Sequence, residues 1–90
     1  MNNTRRTAIS KVSQKVGNIK GELEALMQEI EEIKGEEEDY KDNILENLQG
    51  REKFEIAENA IENLEEAYNS LDDVVGTLED VESYLDEAAS

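Results

Sequence analysis

The chain has 90 residues with no proline, cysteine, histidine or tryptophan, and its 24 acidic residues stand against nine basic ones for a net charge of −15. Lacking histidine and cysteine, it has no ordinary general base for neutral pH, no thiol and none of the usual ligands for zinc, copper or iron, so neither an enzyme nor a metalloprotein is expected. The length bounds one small domain, no apolar run approaches the roughly 18 residues of a membrane span, and Met1-Asn2-Asn3-Thr4-Arg5-Arg6 precedes no secretory core, so the expectation is a soluble, cytoplasmic protein.

In the first half, Ile9, Val12, Val16, Ile19, Leu23, Leu26, Ile30 and Ile33 alternate at spacings of three and four, the pattern of a coiled-coil seam. With Ile9 as heptad position a, the a row is Ile9, Val16, Leu23 and Ile30 and the d row is Val12, Ile19, Leu26 and Ile33, continued by Tyr40 at d and Ile44 at a; Glu37 is the one break. This spacing predicts a first helix over about residues 5–41, some 55 Å long at about 1.5 Å per residue, with Thr4 or Thr7 able to cap it.

Residues 42–50, Asp-Asn-Ile-Leu-Glu-Asn-Leu-Gln-Gly, lose the period and read as a turn, over which Ile44, Leu45 and Leu48 are expected to fold and close the end of the helix pair. The second helix is predicted over about 51–88, its seam formed by Phe54, Ala57, Ile61, Leu64, Tyr68, Leu71, Val75 and Leu78. Val81, Leu85 and Ala88 then continue in a shifted phase where the strict register demands Glu82, a local stammer. Two helices of matched length joined by a short turn must lie antiparallel, so the fold class is an all-α, antiparallel two-helix coiled-coil hairpin. One hairpin buries only a narrow stripe. Met27, Leu45, Ile56, Ala60, Ala67 and Val74 widen the apolar face, and a dimer forming a four-helix bundle is expected.

Charge is segregated along the chain. Residues 1–20 carry Arg5, Arg6, Lys11, Lys15 and Lys20 without an acid, the rest of the chain carries −20, and no base follows Lys53. The antiparallel fold sets the basic segment beside the acidic end of the second helix, where opposite charges would flank the seam. Gly17, Gly21, Gly35 and Gly76 fall at outer b and f positions in this register; of these, Gly17 and Gly21 bracket Lys20 on a bare basic strip that a phosphate or a backbone could approach.

Two functional surfaces follow. The first is the acidic face of the second helix, with Glu58, Glu62, Glu65, Asp72, Asp73, Glu79, Asp80 and Glu82 complementary to a basic protein surface and Tyr84, off the seam, as a contact anchor. Residues 54–90 hold 12 acids over about 54 Å, one per ~4.5 Å, against one charge per ~1.7 Å in duplex DNA, so DNA mimicry would require an oligomer. The second is anion capture by Arg5, Arg6, Lys11, Lys15, Gly17, Lys20 and Gly21, a sponge for a phosphorylated nucleotide signal. A coiled coil serving assembly alone is the third reading. Membrane association and direct nucleic-acid binding disagree with the charge, and neither a specific metal site nor a catalytic pocket is expected from helical carboxylates without a calcium-type loop.

The hinge from Asp42 to Glu55 and the following stretch from Ala57 to Ala67, Ala-Glu-Asn-Ala-Ile-Glu-Asn-Leu-Glu-Glu-Ala, resemble short acidic helical-hairpin proteins of phages and mobile elements of Gram-positive bacteria, over roughly residues 36–88. That resemblance implies an accessory role in which a small protein blocks a host or defence protein, an anti-defence inhibitor of the anti-CRISPR type.

Overall fold

The structure, a computed structural model, describes residues 1–45 and 48–90, the side chains of Leu48 and Gln49 excepted. Two helices, α1 (Asn3–Asp42) and α2 (Leu48–Ala89), pack as an antiparallel hairpin. Each extends slightly beyond its expected range, because its ends find polar partners. At the start of α1 it is Asn2, not Thr4 or Thr7, that caps: its Oδ1 accepts from the Arg5 N–H at 2.8 Å, while the Thr7 hydroxyl donates back to the Asn3 carbonyl. At its end the Asn43 Nδ2 donates to the Asp39 carbonyl at 2.7 Å, and Lys41 sits at the negative end of the helix dipole. The last turn of α2 has no base of its own; Arg6 of α1 supplies one, its Nε donating to the Ala89 carbonyl at 3.0 Å.

The a row of α1 lies in the interface as expected, from Ile9 through Val16, Leu23 and Ile30 to Ile44, with Glu37 also half-buried. The d row does not. Val12, Ile19, Leu26, Ile33 and Tyr40 are between 47% and 51% exposed. In their place the e row, Ser13, Lys20, Met27, Lys34 and Lys41, turns inward, with Met27 buried outright. Lysine stems can cover apolar surface while their ammoniums reach outward. Here Lys20 meets Glu82 at 2.8 Å, Lys34 meets Glu38 at 3.8 Å, and Lys41 stands 5.3 Å from the centre of the Phe54 ring.

On α2, with Phe54 as position a, Ala57 and Val75 are buried and Ile61, Leu64, Tyr68, Leu71, Leu78 and Leu85 are half-buried. The expected stammer is absent. Glu82 keeps the strict register, half-buried with Ala89 seven residues on, while Ala88 is exposed. A carboxylate is tolerated on the seam because Lys20 neutralises it at the rim. The turn also differs from expectation: Ile44 is half-buried, but Leu45 is 76% exposed and closes nothing, and the expectation for the Leu48 side chain lies outside the described residues.

Fully buried at 0% exposure, Ala57 is the tightest point between the helices. Ala57→Leu should therefore cost about 1–3 kcal/mol through overpacking. Leu45→Ser should stay within about 0.5 kcal/mol. Urea unfolding followed by circular dichroism checks both.

Candidate functional site

Helical residues advance by about 100° each, so every seventh residue returns to nearly the same face. On α2 the e row next to the seam opens with Arg51 and continues as Glu58, Glu65, Asp72, Glu79 and Asp86, five carboxylates in succession, all exposed. On α1 the b row beside the inward-turned e row is Gly17, Glu24, Glu31 and Glu38. Both rows border the same open groove: Glu24, Glu31 and Asp72 line it, with Met27, Tyr68 and Val75 forming its floor. One long side of the hairpin is thus acidic along most of its length.

The bases on this side are Lys20, Lys34 and Lys41 of α1 and Arg51 of α2, and among the described residues Lys20 is the one in an ion pair across the interface. Its ammonium donates to Glu82 Oε1, and that hydrogen bond, with the charges of Glu82, Glu79 and Glu24, holds its pKa above the usual lysine value despite some opposing desolvation. Gly17 is not an outward-facing position as the register had it. A Cβ there would stand 3.8 Å from Glu82 Oε2, an ordinary contact, so the Glu82 carboxylate lies beside this position without requiring a glycine at it.

The sequence-derived acids divide into groups. Glu58, Glu65, Asp72 and Glu79 share the acidic row, and Glu62 flanks it one row out. Asp73 and Asp80 lie with Glu66 and Glu87 on the outer f row, about 100° further round the helix. Glu82 is not a free partner-binding acid, since it is committed to Lys20. Tyr84 is 72% exposed, but it stands about 160° away from the acidic row and cannot anchor the same contact. Asp86, Glu24 and Glu31 were missed; a heptad count carried beyond the seam would have found them.

The basic set does not converge. Lys20 and Arg6 are turned to α2, Gly21 lines the acidic groove, and Arg5, Lys11 and Lys15 remain exposed with no ion pair among the described residues. No group of three or more His, Cys, Asp or Glu residues among those described is placed to hold a metal ion. Among the described residues, no helix is long and apolar enough to cross a membrane. No family model, curated protein or solved structure matches the chain.

Because the Lys20 pKa is raised in the folded state, the ion pair's contribution is complete below about pH 10.5 and is lost as pH rises through the folded-state value. Lys20→Glu would gather like charges around Glu24, Glu79 and Glu82. It should lower the melting temperature at low salt and recover most of the loss at about 1 M salt, where the Debye length is ~3 Å; thermal melts at the two ionic strengths test this.

Proposed function

We propose that the hairpin is a homodimeric, non-enzymatic protein-binding module that lays its acidic groove on a basic surface of a partner and so denies that surface to nucleic acid. The reading is carried by the uninterrupted row Glu58, Glu65, Asp72, Glu79 and Asp86 facing Glu24 and Glu31 across one groove. Solubility alone asks only for scattered charge; it does not ask that acids fill one heptad row over 28 residues. With Glu38, which Lys34 meets at 3.8 Å, eight carboxylates lie along about 42 Å of this side of the hairpin, one per ~5 Å. That is about a third of the charge density of duplex DNA. The density suits steering and occlusion of a basic patch more than replacement of a whole duplex. The hinge resemblance adds the context: the partner would be a host or defence protein, and the chain an inhibitor from a phage or mobile element.

The anion-sponge alternative is weakened by one of its own residues, since Lys20 is committed to Glu82. The decisive comparison uses two variants of equal charge change. One neutralises the groove row (Glu58→Gln, Glu65→Gln, Asp72→Asn, Glu79→Gln) and the other the outer row (Glu66→Gln, Asp73→Asn, Asp80→Asn, Glu87→Gln). In pull-downs from bacterial lysate, the groove variant should lose a captured basic protein on the order of tenfold, and the outer variant should keep it to within about threefold. Capture by the unmodified chain should fall steeply between about 0.05 and 0.5 M salt. Equal loss in the two variants would reduce the interaction to net charge and end the proposal.

A further inference from the structure

The side of the hairpin opposite the acidic groove carries an exposed apolar row on α1 and uncharged rows on α2. Seen from the open end, α1 recedes and its residues advance clockwise, whereas α2 approaches and its residues advance anticlockwise. The d row of α1 and the g row of α2 therefore emerge on the same side. The first is Val12, Ile19, Leu26, Ile33 and Tyr40, each about half exposed. The second is Ala60, Ala67, Val74, Val81 and Ala88, at corresponding heights in the antiparallel pair. Next to that lies the c row of α2: Ile56, Asn63, Ser70, Thr77 and Tyr84. Thus a helix with 12 acids among residues 54–90 leaves two adjacent heptad rows free of charge from residue 56 to residue 88.

We propose that this face binds a second copy of the chain, turned end for end, so that α1 packs on the partner's α1 and α2 on the partner's α2 in a four-helix bundle. This rests on the dimeric part of the proposed function and adds its face and its geometry; it does not depend on what the acidic groove binds.

Three observations select that occupant and that orientation. The hairpin exposes 6918 Å², whereas a globular chain of 10.2 kDa exposes about 5300 Å². The excess, roughly 1600 Å², is about twice what one partner contributes to a standard stable interface. Its radius of gyration is 20.4 Å against about 12 Å for a compact chain of this length, so the surplus is spread along the long sides.

Charge fixes the direction. Residues 3–20 of α1 carry five bases and no acid, and residues 29–42 carry eight acids and two bases. Two α1 helices running antiparallel set each cationic half against the other's anionic half and give Arg5, Lys11 and Lys15 acidic neighbours. In the alternative two-fold, with open ends together, the bases of α1 would meet the acidic end of the partner's α2 instead, but the two strongly acidic turn ends would lie side by side, and that repulsion selects the end-for-end arrangement. Packing α2 on a second α2 brings two purely acidic segments together, and only a charge-free strip makes that contact bearable; this helix has one.

Side-chain size agrees. About a dyad at Leu26 the α1 row reads Ile19 against Ile33 and Val12 against Tyr40. About Val74, at nearly the same height, the α2 row reads Ala67 against Val81 and Ala60 against Ala88. Small residues here let the two α2 helices approach closely.

The chain has no native cysteine, so introduced thiols report position directly. Sedimentation equilibrium should give twice the mass of one 10.2 kDa chain. Leu26→Glu with Val74→Glu should give a monomer of unchanged helicity by circular dichroism, since both side chains are already about half exposed in the hairpin. Under mild oxidation, a mixture of Val12→Cys and Tyr40→Cys chains should form the mixed disulfide, and Val12→Cys alone should not cross-link. A monomeric unmodified chain would overturn the dimer and this interface together. A dimer that survives the double glutamate variant, a trimer, or protection of the stripe only by another protein would overturn this interface, and Val12→Cys cross-linking to itself would overturn the end-for-end arrangement.

Discussion

Lys20, Lys34 and Lys41 share one heptad row of α1, with Met27 between the first two, and their placement sets how that helix is rotated against α2. Each lays an aliphatic stem along the seam and delivers its ammonium to a different neighbour: Glu82 across the interface, Glu38 on its own helix, the Phe54 ring at the turn end. Accommodating three such side chains draws the contact line from between a and d to between a and e, with Met27 as its buried centre. The d row then lies about 80° from that line. A helix with a single neighbour covers one strip of its surface, so what the rotation gains at e it gives up at d.

Much of this was legible in the sequence, because it depends on period alone. The two helices, the antiparallel turn and the seam rows Ile9 to Ile30 and Phe54 to Leu78 all follow from three-and-four spacing. Rotation about the helix axis was not legible. The spacing gives a and d equal weight, while lysines at e read as surface charges unless their stems are counted as apolar. Glu82 was misread in a related way: treated as an intolerable seam charge, it suggested a phase slip, whereas one part-exposed lysine from the other helix suffices to hold it in register. Tyr84 and the acids were grouped because they share a helix; only the angular position separates them.

The surface chemistry of α2 also bears on what its acidity is for. A helix that needed charge only to stay soluble could place its acids on any outward row. Instead, from residue 56 onward, e is wholly acidic and f nearly so, while g and c are wholly uncharged, although all four lie outside the seam centre. That division is what the two proposals would ask of one helix: one side that repels nothing packing closely, and another that presents carboxylates at regular height. The mixed b row, with Glu55 and Glu62 followed by Asn69, Gly76 and Ser83, carries no such pattern.

The opposition of the two faces limits what a dimer could do with its acids. If two hairpins meet through the apolar side, their acidic grooves point away from the dyad in opposite directions. Dimerisation then leaves the charge along either groove at about one carboxylate per 5 Å and does not approach duplex density. It produces two equivalent grooves, each able to take one basic surface. Such an assembly would gain from a partner that is itself dimeric or repeated, because a second engagement becomes intramolecular once the first has formed. Bridging and occlusion would then do what charge density cannot, and tight binding would come from valency instead of from imitation of DNA.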